Sequence, residues 1–324
     1  MKFNICSNIQ NSYGLEKDYR ILRRLLESWG HEVNGVQING LDSVPVDVPD
    51  ADVNIFFELL SSKLIASHKA TENWFVPNPE WYYSSWDSTL SQVDKVLCKT
   101  YEAVRIFSQK VKPDKCIHVG WESEDFYDPS VPRRRKFLHV AGGSGTKNTL
   151  AVACAFSKFF YNPFALNKWN DKESIPFVLV SCQHEWGQMV QGRGNCIYIK
   201  RAGETELKHL MNECLFHIMP SVTEGWGHVI HEGLSCGAVM LTTDFPPMNE
   251  YAGISKDLLV SSKMQESTGA ARSAWVGAID VKVAVEKAWQ LDNTQIEQIQ
   301  KNAREAFLDQ RECFRQKLRE VVAQ

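Results

Sequence analysis

Hydrophobic positions fall into two alternating patterns along this chain, short continuous apolar runs and longer stretches with helical periodicity. Runs such as KFNIC, DVNIFF and KVLC are typical of strands that are buried on both faces of a sheet. The first helical stretch, Glu16 to Trp29, places its apolar side chains on one face and ends before Gly30, where a helix C-cap is expected. Repeated alternation of strand and helix predicts a parallel sheet with helices on both faces.

In the first half of the chain this alternation predicts a run of strands with helices between them. The predicted strands are KFNIC, HEVNGVQI, DVNIFF, NWFV, KVLC and CIHVG, and the later helices are Ser62 to Ala70, Ser84 to Gln92 and Tyr101 to Val111. The pattern then stops in the polar, proline-containing segment from Glu122 to Lys136, ESEDFYDPSVPRRRK. This segment reads as an interdomain linker.

The alternation restarts at FLHVAGGSG and continues to the end of the chain. Its helices are predicted at Lys147 to Phe160, Glu204 to Cys214 and from Gly227, and its strands at FVLVSC, CIYIK, FHIMPS and VMLTTD. The fold class predicted is therefore α/β, with two doubly wound, Rossmann-like domains over residues 1–130 and 131–324 and a ligand cleft between them. The last segment, TQIEQIQKNAREAFLDQRECFRQKLREVV, is predicted to be an amphipathic helix long enough to cross back to the first domain.

Charge and cysteine content narrow the function classes. A net charge of −3 and a pI of about 6.3 give no general electrostatic footprint for nucleic acid. The nine cysteines lack the paired short spacing of zinc or redox sites and lie mostly in apolar runs, as small buried hydrophobes do in a reducing compartment. Neither a signal-peptide run nor 18 consecutive apolar residues is present, so the sequence favours a cytoplasmic protein.

Two basic groups leave peripheral contact with a membrane open. They are Lys17, Arg20, Arg23 and Arg24 on the first predicted helix, and the run from Arg133 to Lys136. Ordinary solvated faces account for such groups more often than membrane binding does.

A glycine-rich loop, AGGSGTKN, follows a predicted strand and opens a helix. Gly142, Gly143 and Gly145 let the backbone approach an anion, the helix N-terminus offers N–H groups, and Lys147 adds a full positive charge. That chemistry suits a diphosphate, with Ser144 in the same loop. The loop lacks the GxGxxG and GxxxxGK[ST] spacings, so an ordinary tight turn with a surface lysine stays an equal alternative.

The stretch PSVTEGWGHVIHEGLSCG carries two carboxylates, Glu224 and Glu232, eight positions apart across a sharp Gly225–Gly227 turn. At 1.5 Å per residue they lie at most ~12 Å apart along a helix, comparable with the distance from sugar to ribose in a nucleotide sugar. Ionised carboxylates only accept hydrogen bonds, so Glu232 suits ribose hydroxyls and Glu224 sugar hydroxyls. From spacing alone, a capped helix with two solvated glutamates is the more frequent arrangement.

This stretch resembles the signature of retaining glycosyltransferases of the GT-B fold, family 4, in its PS-x-x-E-G-F/W-G segment and its E-x7-E spacing. Three other segments also resemble the family. The helix and strand before that motif resemble AGETELKHLMNECLFHIMPS, and the family's phosphate-binding loop resembles HVAGGSGTKN. The segment that leads into the second domain resembles IHVGWESEDFYDP. The resemblance covers most of residues 137–250. It implies a glycosyltransferase that takes a sugar from a nucleotide diphosphate sugar, with retention of configuration, to a glycan, glycoprotein or glycolipid acceptor.

The resemblance also implies roles for single residues. Glu224 stands at the motif's first glutamate, near the donor sugar and diphosphate, and Glu232 at its ribose-binding glutamate. Lys147 stands at the phosphate-binding lysine. The donor-facing turn corresponds to Gly225, Trp226 and Gly227. Two positions depart from the family, because Gly143 stands where an arginine is usual and His228 where a leucine is common.

The N-terminal half resembles the family less closely, and its candidates are chosen by placement. Gly14, in the first loop NIQNSYGLEKD, is expected to approach the donor diphosphate. Glu80, in FVPNPEWYY after a predicted strand, is a candidate catalytic carboxylate. The neighbouring aromatic residues suit stacking on sugar rings, although core packing accounts for such residues more often. They are Trp74, Trp81, Tyr82, Tyr83 and Trp86.

The implied mechanism uses neither a cofactor nor a metal, because helix N-termini and Lys147 stabilise the charge on the departing diphosphate. Asp50 and Asp52 offer an acidic pair of the kind that metal-using sugar transferases carry, but they precede a predicted strand instead of ending one. Two alternatives remain open: a non-catalytic carbohydrate- or nucleotide-sugar-binding protein of the same fold, and, with weaker support, a dinucleotide-dependent dehydrogenase.

Overall fold

A computed structural model describes residues 1–10, 14–40, 47–160, 175–267 and 269–323 of the chain. The contacts divide these residues into two compact units. The N-terminal unit comprises Met1–Ser123, Glu266–Arg272 and Gln310–Gln324, and the C-terminal unit comprises Glu124–Gln265 and Ser273–Asp309. The division at Ser123 and Glu124 lies inside the segment that the sequence marked as a linker.

The described part of the N-terminal unit contains a six-stranded parallel sheet with the order β2-β1-β3-β4-β5-β6. Its strands are β1 Lys2–Ser7, β2 Glu32–Gln37, β3 Ala51–Phe57, β4 Ala70–Val76, β5 Lys95–Cys98 and β6 Cys116–His118. Its helices are α1 Gly14–Ser28, α2 Ser62–Ala66, α3 Asp87–Leu90 and α4 Tyr101–Phe107. The predicted strands are all present, and the reversal of order beside β1 makes the unit doubly wound.

A ladder of asparagine side chains crosses this sheet, which the apolar strand pattern did not reveal. Asn34 donates to Asn4 at 3.3 Å, Asn4 to Asn54 at 3.0 Å, and Asn54 to Asn73 at 3.2 Å. The four residues are direct partners in the strand register, Asn4 with Asn34 and Asn54, and Asn54 with Asn73. Because each buried amide is satisfied only when these strands pair in this register, the ladder disfavours slipped pairings.

The described part of the C-terminal unit contains a five-stranded parallel sheet with the order β11-β10-β7-β8-β9. Its strands are β7 Arg134–Gly142, β8 Phe177–Ser181, β9 Cys196–Ile199, β10 Cys214–Met219 and β11 Val239–Thr242. Its helices are α5 Thr149–Lys158, α6 His184–Val190, α7 Glu204–Glu213, α8 His228–Ser235 and α9 Ala278–Trp289. Stacked aromatic rings fill its core, Phe137 on Phe216 and Phe156 on Phe177. The prediction of two doubly wound parallel-sheet domains is confirmed.

Several elements differ from the sequence prediction. Helices α6 and α9 and the antiparallel pair β12 Lys263–Gln265 and β13 Ser273–Trp275 were missed, because their apolar residues are too few or too evenly spread to show a clear period. The predicted helix from Ser62 to Ala70 ends at Ala66, since Ala70 already begins β4. The one predicted from Ser84 to Gln92 is helical in the α form only over Asp87–Leu90.

The final helix, α10 Asn293–Val322, contributes to both units. In the N-terminal unit its Phe314 packs on Trp121 with ring centroids 4.6 Å apart, and its Arg315 pairs with buried Glu122 at 2.6 Å. Arg24 of α1 also reaches Glu122, at 3.4 Å. Glu122 is therefore a structural anchor and not a residue of a solvated linker.

The basic run near the boundary is likewise built into the fold. Arg133 donates to the carbonyl oxygens of Cys214 and Cys236, and Arg135 donates to that of Trp289 at 2.6 Å. Lys136 pairs with Glu213 at 3.1 Å. Arg133, Arg135 and Lys136 therefore bind groups within the C-terminal unit. Arg134 pairs with Glu213 at 3.2 Å and is the largely exposed member of the run. Among the described residues no helix is long and apolar enough to span a membrane.

The nine cysteines, all in described ranges, are free thiols, of which four are buried, three are half-buried, and Cys182 and Cys313 are exposed. The prediction that most are buried hydrophobes was therefore only partly right. Exposure of Cys182 follows from its position one residue beyond β8, where the strand leaves the core.

The central asparagine of the ladder should be the costliest to remove. Asn54→Ala deletes one hydrogen bond on each side and leaves the amides of Asn4 and Asn73 short of a partner inside the sheet, so we expect a loss of about 2 to 4 kcal/mol in the free energy of unfolding. Asn34→Ala, at the half-buried end of the ladder, is the control and should cost about 1 kcal/mol or less. Urea denaturation measures both, and equal costs would contradict the ladder's role.

Three buried histidines of the C-terminal unit should make its stability depend on pH. Burial lowers the pKa of His139 to about 4 and those of His217 and His231 to about 3, whereas an unfolded chain binds the proton near pH 6.5. Since the unfolded state takes up protons first, stability should be full above about pH 6.5 and fall as the pH drops toward 4. Denaturation midpoints between pH 7.5 and 5 should show this slope.

His139→Gln is the matched variant for that measurement. It removes one titrating group while offering a side chain that can still bond Ile218 O and Thr149 Oγ1, the partners of His139 at 2.7 and 3.1 Å. A slope between pH 6.5 and 5 that is as steep in the variant as in the native chain would contradict the contribution of His139.

Candidate functional site

Two loops of the C-terminal unit leave neighbouring strands at the same edge of the sheet. β7 and β10 pair in parallel, with Phe137 opposite Phe216, and each is followed by a loop and a helix. Their carboxyl ends therefore lie side by side, which is where open α/β sheets bind ligands. These are the glycine-rich loop and the loop that carries Glu224.

The conformation of the glycine-rich loop is set by a left-handed glycine and by hydrogen bonds within the loop. Gly142 ends β7 with a φ of +56°, a left-handed conformation in which glycine has no steric penalty. Ser144 caps the short 3-10 turn Gly145–Lys147, and its hydroxyl lies 2.7 Å from that of Thr146. Helix α5 begins two residues after the lysine, at Thr149, so Lys147 precedes the helix that was predicted to include it.

A backbone bond and an ion pair join the two loops. Val222 N donates to Thr146 O at 2.8 Å, and Lys147 Nζ donates to Glu224 Oε1 at 2.5 Å. Ser221 Oγ donates to the same carboxylate oxygen at 2.6 Å. Only 17% of the Lys147 side chain and 9% of the Glu224 side chain are exposed. Partial burial removes most of the solvent screening, so the attraction between these two charges is stronger than in a surface pair.

The Gly225–Gly227 turn has a left-handed glycine and a buried, stacked tryptophan. Gly227 is the N-cap of α8 with a φ of +77°, and a Cβ on it would lie 3.3 Å from Ile230 Cδ1. Trp226 is buried and stacks on His231 with ring centroids 3.9 Å apart, and Tyr251 meets the His231 ring edge-on. His231 of α8 therefore packs between Trp226 and Tyr251 as a buried aromatic ring, and burial lowers its pKa to about 3.

Glu232 lies on α8, five residues into the helix, and is buried, with 1% of its surface exposed. Its position on the helix after the Gly-Trp-Gly turn agrees with the spacing in the sequence, but such deep burial could not be predicted from that spacing. His228, the first residue of α8, is half-exposed.

Unused hydrogen-bonding groups lie on either side of the ion pair. The backbone N–H groups of Gly143 and Gly225 donate to none of the described residues. Thr223 Oγ1, next to Glu224, is buried and has no hydrogen-bond partner among the described residues. Buried polar groups are nearly always satisfied in native proteins, so a group left open beside a charged pair indicates a ligand position.

The two N-terminal candidates belong to the other unit. Gly14 is the exposed first residue of α1. Glu80 is half-buried in a 3-10 turn, Pro79–Trp81, after β4. Ala270 N and Ala271 N donate to Tyr82 O and Pro79 O, and a Cβ on Gly269 would lie 2.1 Å from Glu80 O. A glycine at 269 is therefore required for this segment to lie against the Glu80 turn.

The aromatic residues beside Glu80 divide between core and surface. Trp74 and Tyr82 are buried in the core, whereas 47% of Trp81 and 39% of Tyr83 are exposed. The acidic pair, Asp50 and Asp52, lies at the amino end of β3, away from the carboxyl edge of the sheet. Asp50 precedes the strand and pairs with Lys69, and Asp52, within the strand, accepts from Lys2 N at 2.7 Å. No group of three or more His, Cys, Asp or Glu side chains among the described residues has an arrangement that could hold a metal ion.

Ser221 was not predicted as a site residue, although it is the serine of the quoted PS segment. The sequence showed the residue but could not show that its hydroxyl turns back onto the glutamate three positions later. Thr243 Oγ1 donates to Ser221 O at 2.5 Å and fixes this conformation from the end of β11.

Comparisons with known proteins agree with this architecture. Residues 184–273 match the family model described as Glycosyl transferases group 1. No curated protein matches the chain in a sequence search.

Among solved structures, sucrose-phosphate synthase from Thermosynechococcus elongatus superposes with a TM-score of 0.73 at 11% identity, covering 100% of this chain and 98% of its own. WaaG, a glycosyltransferase involved in lipopolysaccharide biosynthesis, has a TM-score of 0.63 at 13% identity, and the match covers 94% of this chain and 95% of WaaG. A third similar structure is an α,α-trehalose-phosphate synthase (UDP-forming) from Burkholderia xenovorans in complex with glucose-6-phosphate. Its TM-score is 0.62 at 10% identity, and the match covers 86% of this chain and 74% of the synthase. The fold is GT-B, and the matched segment, which includes Glu224 and Glu232, supports a glycosyltransferase.

The left-handed turn at Gly227 should tolerate no side chain. Gly227→Ala forces an L-residue to a positive φ and crowds Ile230, so we expect a loss of about 1 to 3 kcal/mol in the free energy of unfolding. Gly203→Ala is the control, because Gly203 caps α7 with a φ of −67° and open space around its Cβ position. Thermal denaturation compares the two variants, and equal midpoints would contradict strain at Gly227.

Proposed function

We propose that this protein is a retaining glycosyltransferase whose C-terminal unit binds a nucleotide diphosphate sugar and whose N-terminal unit binds the acceptor. The observation that carries the proposal is the half-buried Lys147–Glu224 pair, held between two glycine turns at the carboxyl ends of β7 and β10. The GT-B fold and the group 1 match of residues 184–273 support it.

The diphosphate is proposed to bind at Lys147. A diphosphate carries more negative charge than a single carboxylate, so it competes well with Glu224 for the ammonium group. The N–H groups of Gly143 and Gly225 and the hydroxyl of Thr223 are free to donate to phosphate oxygens. Glu224 keeps its bond from Ser221 and offers its remaining lone pairs to sugar hydroxyls. Gly142, Ser144, Trp226 and Gly227 shape the walls of this site.

Glu232 is proposed to bind the ribose hydroxyls from α8. As a carboxylate it can accept from two vicinal hydroxyls at once. Its burial means that the ribose would enter a largely desolvated position, in which two hydrogen bonds to a charged group are worth more than in water. Gly14 and Glu80 are proposed to serve the same reaction from the N-terminal unit, Glu80 as a carboxylate near the reacting hydroxyl.

The reaction is proposed to proceed on one face of the sugar. The bond from the anomeric carbon to the phosphate oxygen breaks, and its electron pair stays on that oxygen. The acceptor oxygen forms the new bond on the same face, and its proton passes to the departing phosphate oxygen. Lys147 and the loop N–H groups stabilise the leaving charge without a metal or cofactor, as preorganised donors.

Assays with candidate sugars test which donor and acceptor this protein uses. Uridine diphosphate sugars are the first donors to test, because one of the similar structures is a UDP-forming synthase. Acceptors are proposed to be glycans or glycoconjugates, in keeping with the lipopolysaccharide role of WaaG.

Two substitutions should separate diphosphate binding from sugar transfer. Lys147→Ala removes the charged donor, so we expect UDP to bind about 10 to 100 times more weakly by isothermal titration calorimetry. Glu224→Gln removes the anion that competes for Lys147, so UDP should bind as tightly as before or more tightly. Release of UDP from UDP-sugars, by hydrolysis or transfer, should fall in both variants.

Matched controls lie on exposed positions of the same unit. Lys158→Ala, at the far end of α5, and Glu204→Gln, at the start of α7, remove the same charges away from the site and should leave UDP affinity unchanged. An equal loss of affinity in Lys147→Ala and Lys158→Ala would refute the diphosphate site.

UDP binding without any release from UDP- or GDP-sugars would identify a non-catalytic binding protein instead. Activity abolished by EDTA and restored by Mn²⁺ would refute the metal-free mechanism. A product whose anomeric proton coupling in NMR shows the configuration opposite to that of the donor would refute retention.

A further inference from the structure

Four polar side chains form a hydrogen-bonded chain at the carboxyl edge of the N-terminal sheet. Lys99, directly after β5, donates to Asp18 Oδ2 of α1 at 2.5 Å and to Asn78 Oδ1 at 3.3 Å. Asn78, after β4, donates to Glu58 Oε2 at 2.9 Å. Glu58 is the first residue after β3. All lie within the N-terminal unit, and none was predicted as a site residue.

The ion pair at the base of this chain is deeply buried. Only 1% of the Lys99 side chain and 3% of the Asp18 side chain are exposed, and the ammonium lies 5.1 Å from the Trp121 ring centroid and 5.7 Å from that of Phe57. Desolvating two charges costs as much as their attraction returns, so buried pairs add little stability over apolar residues of the same size. Fold stability alone therefore does not account for this arrangement.

Glu58 is held in a strained conformation. Its φ is +63°, and Leu59 N donates to Phe57 O at 2.6 Å, which closes a three-residue turn around it. Positive φ is rare for residues other than glycine, asparagine and aspartate, and this kind of turn is strained. Such outliers cluster at binding and catalytic sites. The Glu58 carboxylate on this turn is the one that accepts from Asn78.

Two further polar groups near this edge are buried without partners. Ser7 ends β1 one residue after Cys6, which is opposite Phe56 of β3, and its hydroxyl has no hydrogen-bond partner among the described residues. The indole N–H of Trp121, whose ring faces Lys99, is likewise unpartnered among the described residues. Both residues are fully buried. They can donate hydrogen bonds that the protein itself does not use.

The charge balance of this edge selects the ligand. Two carboxylates stand against one ammonium, and that ammonium is already bonded to Asp18 and Asn78, so a phosphate or carboxylate ligand would be repelled. Hydroxyl groups both donate and accept, which matches the second oxygen of Glu58 as acceptor and Ser7 and Trp121 as donors.

We propose that Glu58, Ser7 and Trp121 bind the hydroxyls of a neutral, unphosphorylated sugar. Together with Asp18, Asn78 and Lys99 they are named here the Glu58 cluster. Glu58 accepts from the sugar, while Asn78 and the Lys99–Asp18 pair are positioning residues that fix its carboxylate. The assignment of this sugar as the acceptor rests on the proposed function. The binding itself does not.

Binding of neutral glycosides tests the cluster directly. The probes are methyl α-D-glucopyranoside, methyl α-D-mannopyranoside and methyl β-D-galactopyranoside, with glucose 6-phosphate as the anionic probe, followed by saturation-transfer NMR and titration. The native chain should bind at least one of the neutral glycosides, and Glu58→Ala should bind it at least about tenfold more weakly. Glu32→Gln, which removes an exposed carboxylate at the start of β2, should bind it as the native chain does.

A second variant separates binding from folding. Glu58→Gly relieves the positive φ, so its thermal midpoint should equal or exceed that of the native chain while glycoside binding is lost. Binding of none of the neutral glycosides by the native chain, equal affinity in Glu58→Ala, or binding of glucose 6-phosphate alone would each overturn the proposal.

The outcome is independent of the donor site. UDP affinity, which depends on Lys147, should be the same in Glu58→Ala and the native chain. Glycoside binding without UDP binding would keep the Glu58 cluster and remove the proposed glycosyltransferase. UDP binding and sugar transfer, with glycoside affinity that does not depend on Glu58, would keep the proposed glycosyltransferase and remove the Glu58 cluster.

Discussion

The constraint on which this structure depends is that parallel strands buried on both faces have no room for unsatisfied polar groups. Strands β3, β8 and β10 are buried along most of their length, and the candidate site residues Glu58, Lys147 and Glu224 lie in the segments that follow strands. Where polar side chains do enter a sheet, as in the Asn34–Asn4–Asn54–Asn73 ladder, each amide bonds to the next. The same constraint concentrates charged residues at the carboxyl edges, where they can act on a ligand.

In the C-terminal unit, that edge is organised by a contact between residues 77 positions apart, Lys147 and Glu224. The contact holds the glycine-rich loop against the loop after β10, together with the Val222–Thr146 backbone bond. It also keeps a cation and an anion ready in a partly desolvated place. A ligand anion that displaces Glu224 from Lys147 would therefore gain a donor already in position, which lowers the cost of ordering the site on binding.

The N-terminal unit shows the difference between polar groups that serve the fold and polar groups that remain open to a ligand. The asparagine ladder is closed, because its members satisfy one another within the register of the strands. The Glu58 cluster is closed only at its buried end, where Lys99 meets Asp18. At its outer end a strained backbone holds the Glu58 carboxylate, which accepts a hydrogen bond from Asn78. This asymmetry between a closed and an open end is the basis of the proposed binding edge.

The sequence by itself determined the two α/β sheets, because runs of apolar residues long enough for buried strands alternate with helical periods from KFNIC onward. It also determined the loop that carries Glu224, since the E-x7-E spacing and the glycines around Trp226 are local features of the chain. The short helices α2 and α3 were overestimated and α6 and α9 were missed, because periodicity is weak in elements that tertiary packing stabilises. Only the tertiary structure decided that Lys147 meets Glu224, that Ser221 turns back onto it, that Glu232 is buried, and that Asp18, Glu58, Asn78 and Lys99 form one chain. These are contacts between residues brought together by strand order, and the order of strands in a sheet is set by long-range packing, which no local pattern of residues records.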